Sequence, residues 1–345
     1  MKNGIINIDK IVNAMKSGNT LPAPIAHTPD LFTTVRLPYQ YDPAATCPKF
    51  MKYLEDVQPK EENREILQRL AGLLLTPDTS YNVAFFLYGP AGTGKSVFLS
   101  ILIGLVGVEN TCCVPLGEFA NKHSTWPLVE KLLNAVGDMP FMPESGRSAE
   151  VEGVLKDVTS GGLIKIEPKF KDVRMSKAIA RCVFATNYLP YFSDRSGAIR
   201  DRLRIIPFNH VFRNTDQQNP HLTEELMEEL PGILNWALSG LVKLRDLKIF
   251  PPCEEGQQVL EEHLADCDHE GTFLRDETEA NADRYLGSRE TYHAYREWAK
   301  DHGYNPVGDK KFREAVLRVY PNATYSRQME GNFKTTVIHG ISWHL

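Results

Sequence analysis

The apolar positions of the chain follow two different spacings before its first glycine-rich loop. Between Glu61 and Leu75 they recur every three or four residues, whereas VAFFLYG at 83–89 is almost continuously apolar. The first pattern is typical of an amphipathic helix and the second of a strand buried on both faces. We predict a helix over the first segment, a buried strand over the second, and another helix from Gly94 to about Val106.

Three shorter apolar segments predict further strands. They are LLNAV at 132–136, CVFAT at 182–186 and RIIPF at 204–208. Because strands that alternate with helices form mainly parallel sheets, we expect an α/β fold of that kind. The segment 214–220 has the composition of a loop, and 223–247 has helical spacing with a turn at its ELPG sequence.

The composition predicts three regions along the chain. Residues 1–75 begin with Pro- and Tyr-rich sequence, which indicates irregular structure with short helices, and form a helical N-terminal region. The α/β core follows over 76–250. The sequence PPCEEG then marks a boundary, and 251–345 is predicted to be a small α+β module.

The charge distribution narrows the classes of partner. The net charge of −5 argues against a uniformly basic nucleic-acid binder. Two zones are nevertheless basic, since 156–181 contains seven basic and three acidic residues and 284–345 contains ten and six. Such zones suit contact with nucleic acid at chosen places, although two solvated faces remain the alternative.

The sequence offers neither a membrane segment nor a cysteine framework. No apolar run approaches the ~18 residues that span a bilayer, and the N-terminus lacks the apolar core of a signal peptide. The six cysteines have no disulfide-like spacing, and Cys253, Cys267 and His269 lack the second pair that a metal site needs. We expect a cytoplasmic protein with reduced thiols and no membrane partner.

The most specific motif is GPAGTGKS at 89–96. It fits the pattern G-x-x-x-x-G-K-[ST], in which glycines let backbone N–H groups approach phosphate oxygens. We expect Lys95 to reach the β and γ phosphates of ATP and Ser96 to ligate Mg²⁺. The residues expected to bind the nucleotide are Gly89, Pro90, Ala91, Gly92, Thr93, Gly94, Lys95, Ser96 and Val97.

Two later strands end in polar residues that would complete such a site. An acid at the end of a neighbouring strand can hold Mg²⁺ and orient the attacking water, and Asp138 follows one predicted strand. Asn187 follows another and could position the same water. Each has a simpler alternative, since Gly-Asp is common in turns and Asn often caps a turn. Glu144 is the nearest later candidate for a general base.

Arginines crowd the approach to the strand at 204–208. An arginine that reaches the γ phosphate in a neighbouring subunit would neutralise charge in the transition state. Arg202 is the preferred candidate for this role. Ordinary surface salt bridges are the alternative for any one of the four arginines, Arg195, Arg200, Arg202 and Arg204.

The order of these motifs resembles the superfamily 3 helicases, in the phage and plasmid primase-helicase branch related to poxvirus primase-helicases. The resemblance covers roughly residues 25–250 and rests on GPAGTGKS, LLNAVGD, LKDVTSGGLIKIEPKF, ATNYLP and DRLRIIPF in that order. It implies an AAA+-like P-loop ATPase, generally a hexameric ring, that moves 3′ to 5′ along single-stranded DNA. It also implies that a primase or polymerase domain could lie on a longer parent chain.

The segment between Asp138 and Asn187 is the distinctive element of that family. Here LIKIEPKF alternates in the manner of a hairpin strand, and Lys169, Phe170 and Lys171 lie at or near the predicted tip. A cationic tip with an aromatic residue suits gripping phosphates and stacking on bases, although a solvated hairpin is the alternative.

The segment 292–343 resembles the winged-helix-like tail of the same branch. Tyr292, Tyr295 and Trp298 share one face of a predicted helix, where a core role is favoured over base stacking. Residues 310–319 predict a second, basic helix. Its candidate DNA contacts are Lys310, Lys311 and Arg313.

Two features depart from the family pattern. The paired acids of viral members are reduced to Asp138, and the usual Gly-Gly-Asp stands as Gly161-Gly162-Leu163. A replicative helicase motor is the first hypothesis. A DNA-stimulated ATPase that acts as a helicase loader or origin-remodelling factor is the second. A DNA-binding assembly with a structural nucleotide is the third, and the presence of every expected catalytic residue disfavours it.

Overall fold

The computed structural model describes residues 1–31, 33–167, 172–216, 218–330 and 333–344. The predicted hairpin tip, Lys169, Phe170 and Lys171, therefore lies outside the described residues. The chain forms two compact units, Met1–Leu260 and Glu261–Leu345.

Helices account for most of the regular structure. The α-helices of the described residues are α1 (Ile8–Lys16), α2 (Pro48–Val57), α3 (Glu61–Leu73), α4 (Lys95–Val106), α5 (Ser148–Ser160), α6 (Ala198–Arg202), α7 (Leu222–Met227), α8 (Leu230–Leu247), α9 (Glu254–Cys267), α10 (His269–Glu277), α11 (Ser288–Asp301) and α12 (Asp309–Val319).

The strands of the described residues form three sheets. They are β1 (Ala84–Tyr88), β2 (Thr111–Cys112), β3 (Leu133–Val136), β4 (Leu163–Ile166), β5 (Arg174–Lys177), β6 (Arg181–Thr186), β7 (Leu203–Pro207), β8 (Thr278–Gly287), β9 (Thr324–Glu330) and β10 (Phe333–Trp343).

The first unit is built on a five-stranded sheet with the order β2-β3-β6-β1-β7. Every pairing in it is parallel, with Phe85 opposite Val183 on one side of β1 and Arg204 on the other. The predicted mainly parallel sheet is therefore confirmed. Because parallel strands point the same way, the loops that follow β1, β3 and β6 all leave the sheet at one edge.

Residues before β1 belong to the same hydrophobic core as the sheet. Phe50 of α2, Leu70 of α3 and Phe85 of β1 are fully buried members of one cluster. Helices α3 and α8 approach so closely that a Cβ on Gly240 would lie 2.1 Å from the Gln68 carbonyl oxygen. The N-terminal helices thus have a fixed position beside the sheet, and a separate N-terminal domain stays a prediction.

Several element boundaries differ slightly from those predicted. Helix α3 ends at Leu73, and α4 begins at Lys95, one residue after the predicted start. The helical segment 223–247 divides at Glu228 and Glu229 into α7 and α8. The break lies just before the predicted position, because Leu230, Pro231 and Gly232 of the ELPG sequence already belong to α8. Proline tolerates the first turn of a helix because its missing N–H would be unpaired there, which explains why Pro231 lies inside α8.

A helix and a hairpin lie between β3 and β6 in the chain. Helix α5 ends at Gly161, whose φ of 65° is left-handed. Strands β4 and β5 then pair antiparallel, with Leu163 opposite Lys177 and Ile166 opposite Arg174. The hairpin predicted from the alternation of this segment is therefore present up to its described residues.

The second unit combines helices with an antiparallel sheet of order β8-β10-β9. Tyr295 is fully buried in its core, and Tyr292 and Trp298 pack against that core half-buried. The predicted core role of these aromatic residues is confirmed. Among the described residues of the whole chain, no helix is long and apolar enough to cross a membrane.

Candidate active site

The loop between β1 and α4 requires glycine at several positions. Gly89, Gly92 and Gly94 have φ values of 146°, 84° and 93°, which residues with a Cβ rarely adopt. A Cβ on Gly89 would also lie 2.1 Å from the Phe208 carbonyl oxygen, and one on Gly92 would lie 2.5 Å from the Arg213 Cβ. Both the backbone conformation and the close packing therefore select glycine.

Three separate parts of the first unit hold this loop in place. The Gly89 N–H donates to the Thr186 carbonyl at 3.2 Å, and the Phe212 N–H donates to the Gly92 carbonyl at 2.9 Å. The Tyr53 hydroxyl donates to the Gly94 carbonyl at 2.9 Å. The loop is thus attached to β6, to the segment after β7 and to α2.

Helix α4 begins directly after the loop without a side-chain cap. The N–H groups of Lys95, Ser96 and Val97 consequently have no acceptor inside the helix. These groups lie at the positive end of the helix dipole, which favours an anion. The loop and the start of α4 therefore present backbone N–H donors suited to an anion.

Lys95 is the most buried cation of the site, with only 7% of its surface exposed. Its Nζ donates to the Gly89 and Pro90 carbonyls at 2.6 Å each and to Asn187 Oδ1 at 3.1 Å. Burial lowers the pKa of this ammonium group, and the charge of Asp138 acts in the opposite direction. The lysine is therefore held over the loop by acceptors that directly follow β1 and β6.

The sheet order brings the two predicted polar residues to the loop. Strand β6 lies between β1 and β3, so Asn187 follows the strand adjacent to the loop and Asp138 follows the next strand along. Asn187 contacts Lys95 directly, whereas Asp138 is exposed and acts on Lys95 through its charge. Residues 92 positions apart in the chain thereby share one edge of the sheet.

A cavity of about 850 Å³ opens at this edge. That volume lies within the range of about 300–1,000 Å³ seen for small-molecule sites. Ala91 to Val97, Asp138 and Asn187 line it, whereas Gly89 and Pro90 contribute by holding Lys95. The cavity thus gathers most of the residues predicted to bind a nucleotide.

None of the four candidate arginines is among the residues that line this cavity. Arg202 donates to the Ala198 carbonyl at 2.8 Å, and Arg204 donates to the Phe250 carbonyl at 2.7 Å. Arg195 lies over the Tyr191 ring, and Arg200 is exposed near Asp201. A role for Arg202 in another copy of the chain stays a prediction. Glu144 is exposed and is likewise not among the lining residues.

Sequence reasoning missed one wall of the cavity. Lys49, Lys52 and Tyr53 of α2, Phe212 and Arg213 after β7, and Leu222 of α7 all line it. They come from three separated segments, and no short motif connects them. The only sequence signal was the polar stretch that follows RIIPF, which marks the end of a strand at the same sheet edge.

The β4–β5 hairpin is attached to the segment 121–125. The Glu167 N–H donates to the Lys122 carbonyl at 3.2 Å, and the side chains of these two residues form an ion pair. His123 Nδ1 donates to the Glu167 carbonyl at 2.9 Å. The end of β4 that leads into the predicted tip is therefore attached to another segment of the first unit.

The candidate cations of α12 differ in their surroundings. Lys310 and Lys311 are exposed. Arg313 is half-buried, lies 2.9 Å from Asp309 Oδ2, and places its guanidinium 5.4 Å from the centre of the Tyr325 ring. Arg313 thus already has a charged and an aromatic partner within its own unit.

Comparisons with families of known sequence match two parts of the chain. A family of unknown function, DUF5906, matches residues 87–202, which include the loop, Asp138, Asn187 and Arg202. A family described as poxvirus D5 protein-like matches residues 266–336 in the second unit. A curated relative, the uncharacterized mitochondrial protein ymf21 of Marchantia polymorpha, is 31% identical over 104 residues. That match covers 26% of this chain, and the chain spans 58% of the length of the relative.

Solved structures similar to this chain include apo forms of the C-terminal region of NrS-1. One has a TM-score of 0.54 at 11% identity, and the match covers 96% of this chain and 89% of the NrS-1 chain. Another has a TM-score of 0.53 at 12% identity, and the match covers 87% of this chain and 78% of the NrS-1 chain. At such low identity the likeness shows a shared fold, a mixed α/β structure with a five-stranded parallel sheet.

Proposed function

We propose that this chain is the ATP-hydrolysing motor of a DNA helicase of the D5-type primase-helicase group, acting in phage or plasmid replication. The observation that carries the proposal is the single cavity lined by the glycine-rich loop, Lys95, Ser96, Asp138 and Asn187. The match to the poxvirus D5-like family in the second unit supports the same assignment independently.

The chemistry of ATP hydrolysis fits the residues of this cavity. The β and γ phosphates would accept from the N–H groups at the start of α4 and from Lys95, which would exchange its carbonyl acceptors for phosphate oxygens. Asn187 already contacts Lys95 and would hold the attacking water near the γ phosphate.

Mg²⁺ fits the donors that the cavity presents. Among the described residues no cluster of three or more His, Cys, Asp or Glu side chains could hold a metal by itself. The cavity does offer the Ser96 hydroxyl and the Asp138 carboxylate. A partial oxygen set of this kind suits Mg²⁺, which usually keeps waters and binds substrate phosphates as well.

The DNA-binding part of the proposal rests on the hairpin and the second unit. Single-stranded DNA would contact the hairpin tip and the exposed Lys310 and Lys311, because cationic and aromatic side chains bind the backbone and stack on bases. A homo-oligomeric ring, expected to be hexameric, would supply Arg202 to the site of its neighbour. Movement from 3′ to 5′ is part of the same proposal.

Hydrolysis of Mg²⁺-ATP by Lys95→Ala tests the catalytic part. We expect the variant to lose hydrolysis and to bind ATP at least about 10-fold more weakly, because an ion-pair partner of the phosphates is gone. The matched control is Lys131→Ala, which also removes a lysine that donates to a carbonyl, here that of Glu109 at 2.6 Å. If both variants hydrolyse ATP at the wild-type rate, the proposed site is wrong. Hydrolysis that DNA does not stimulate would favour the loader function instead.

A further inference from the structure

The cavity of the candidate site has an apolar wall that phosphate chemistry does not use. Val57, Val97, Phe212 and Leu222 line the same cavity of about 850 Å³ as Lys95. Val57 is buried in the core of the first unit, and the other three pack against that core half-buried. Val97, Phe212 and Leu222 are therefore supported by the core while part of each side chain remains accessible, whereas Val57 exposes only 4% of its surface.

Phe212 is held more firmly than an ordinary loop residue. Its N–H donates to the Gly92 carbonyl at 2.9 Å, and its carbonyl accepts from the Thr215 hydroxyl at 2.7 Å. Its ring lies 4.5 Å from the His210 ring at an interplanar angle of 60°. These contacts fix the position of the Phe212 ring, and the backbone of Phe212 is hydrogen-bonded directly to the glycine-rich loop.

The charges around the cavity separate two chemical environments. Lys95 and the start of α4 provide positive charge beside the loop, whereas Asp56 and Glu225 also line the cavity. These two acids pair with Lys52 at 3.6 Å and Lys49 at 3.5 Å. Because Lys49 and Lys52 line the cavity as well, each carboxylate is offset by its partner and this part of the cavity carries little net charge. It therefore suits a neutral group, and the carboxylates can accept from an amino donor on it.

We infer that Phe212 and Leu222, with Val57 and Val97, form the binding wall for the base of a nucleoside triphosphate, and that Phe212 is its main contact. This inference rests on the proposed function, because it assumes that the phosphates bind at the loop. The base is the part of such a ligand with an apolar, aromatic face. The chain therefore recognises the nucleotide through its base as well as through its phosphates.

Calorimetric titration of the full chain with ATP and with inorganic tripolyphosphate tests the inference. The variants are Phe212→Ala, Leu222→Ala and the ring-retaining Phe212→Tyr, with Met15→Ala as a control for a half-buried core contact outside the cavity. Because stacking between a base and an aromatic ring contributes to binding, Phe212→Ala should bind ATP roughly 10-fold more weakly. Tripolyphosphate affinity should stay at the wild-type value, and Phe212→Tyr should bind both ligands normally.

The results separate the base wall from the phosphate site. If Phe212→Ala and Leu222→Ala weaken ATP and tripolyphosphate equally, or weaken neither, the base wall is wrong while the phosphate site stands. If the wild-type chain binds neither ligand, the proposed function fails and the base wall fails with it. A selective loss of ATP affinity that Met15→Ala does not share supports the inference.

Discussion

At the scale of single residues, the site depends on side chains that position its backbone. Tyr53 is the clearest example, because its hydroxyl donates to the carbonyl of Gly94, the residue before α4. Burial raises the pKa of this tyrosine, so it remains a neutral donor throughout the working range of pH. Tyr53 thus fixes the end of the loop without charge.

Removal of this one hydroxyl should affect nucleotide binding. We expect Tyr53→Phe to raise the KM for ATP several-fold with a smaller change in kcat, since a hydrogen bond contributes about 1 kcal/mol. The matched control is Tyr39→Phe, which removes a buried hydroxyl that donates to the Leu105 carbonyl at 2.7 Å. Both variants should lose similar stability in denaturant unfolding. An equal change of KM in both would contradict the positioning role.

The sequence predicts the local residues of the site and misses the distant ones. The loop glycines and Lys95 follow from one contiguous motif whose spacing reflects the backbone conformation itself. Tyr53 and Phe212 reach the loop only through the packing of α2 and of the segment after β7. Their neighbours in the chain carry no sign of that packing, so only the folded chain reveals them.

At the scale of elements, the half-buried carboxylate of Asp194 organises the start of α6. Asp194 accepts from the Ile199 N–H at 2.9 Å, the Ser196 hydroxyl at 2.7 Å and Lys156 at 3.1 Å. Burial alone would raise the pKa of Asp194, but these hydrogen bonds outweigh it and lower the pKa to about 2. The helix that carries Arg202 is thereby linked to α5.

This linkage predicts a pH-dependent stability. The usual pKa of an aspartate is about 4, so the depressed pKa of Asp194 stabilises the fold fully above that pH and no longer below about pH 2. With allowance for solvent screening, Asp194→Asn should lower the free energy of unfolding by about 1–2 kcal/mol at pH 7. Denaturant titrations from pH 7 towards pH 3 should show the difference between variant and wild type shrinking. A difference that stays constant would contradict this account.

The ion pair between Lys122 and Glu167 predicts that the segment 121–125 positions the hairpin. Lys122→Glu should place two acids together beside the end of β4, next to the predicted tip, and reduce the stimulation of ATP hydrolysis by DNA, while basal hydrolysis remains. Because ion pairs on the surface are screened by solvent, global stability should change little. The double variant Lys122→Glu/Glu167→Lys should recover the stimulation. If the double variant stays impaired, Lys122 does not act by positioning the hairpin.

The elements themselves were predicted with uneven success for physical reasons. Strand β1, helix α4 and the parallel sheet follow from apolar spacing, which burial directly imposes. The support of the hairpin by the segment 121–125 depends on contacts between residues more than 40 positions apart. The buried residues of helix α5 include polar ones, Glu152 and Thr159, beside the apolar Val151, Leu155 and Val158, so its amphipathic pattern was weak.

At the scale of the whole molecule, the two compact units match different families. The first unit carries the cavity, and residues 266–336 of the second match the poxvirus D5-like family. The two basic zones predicted from the sequence fall one in each unit. An acidic chain with basic zones in both units suits a protein that holds DNA at separate points along its path.

The most direct test of the central claim is ATP hydrolysis with and without single-stranded DNA, in the wild type and in Lys169→Ala/Lys171→Ala. We predict that DNA stimulates the wild type, and that the double variant keeps basal hydrolysis and loses the stimulation. The control is Lys2→Ala/Lys10→Ala, which removes the same charge from exposed positions near the N-terminus. Hydrolysis that is indifferent to DNA in the wild type would contradict the motor function.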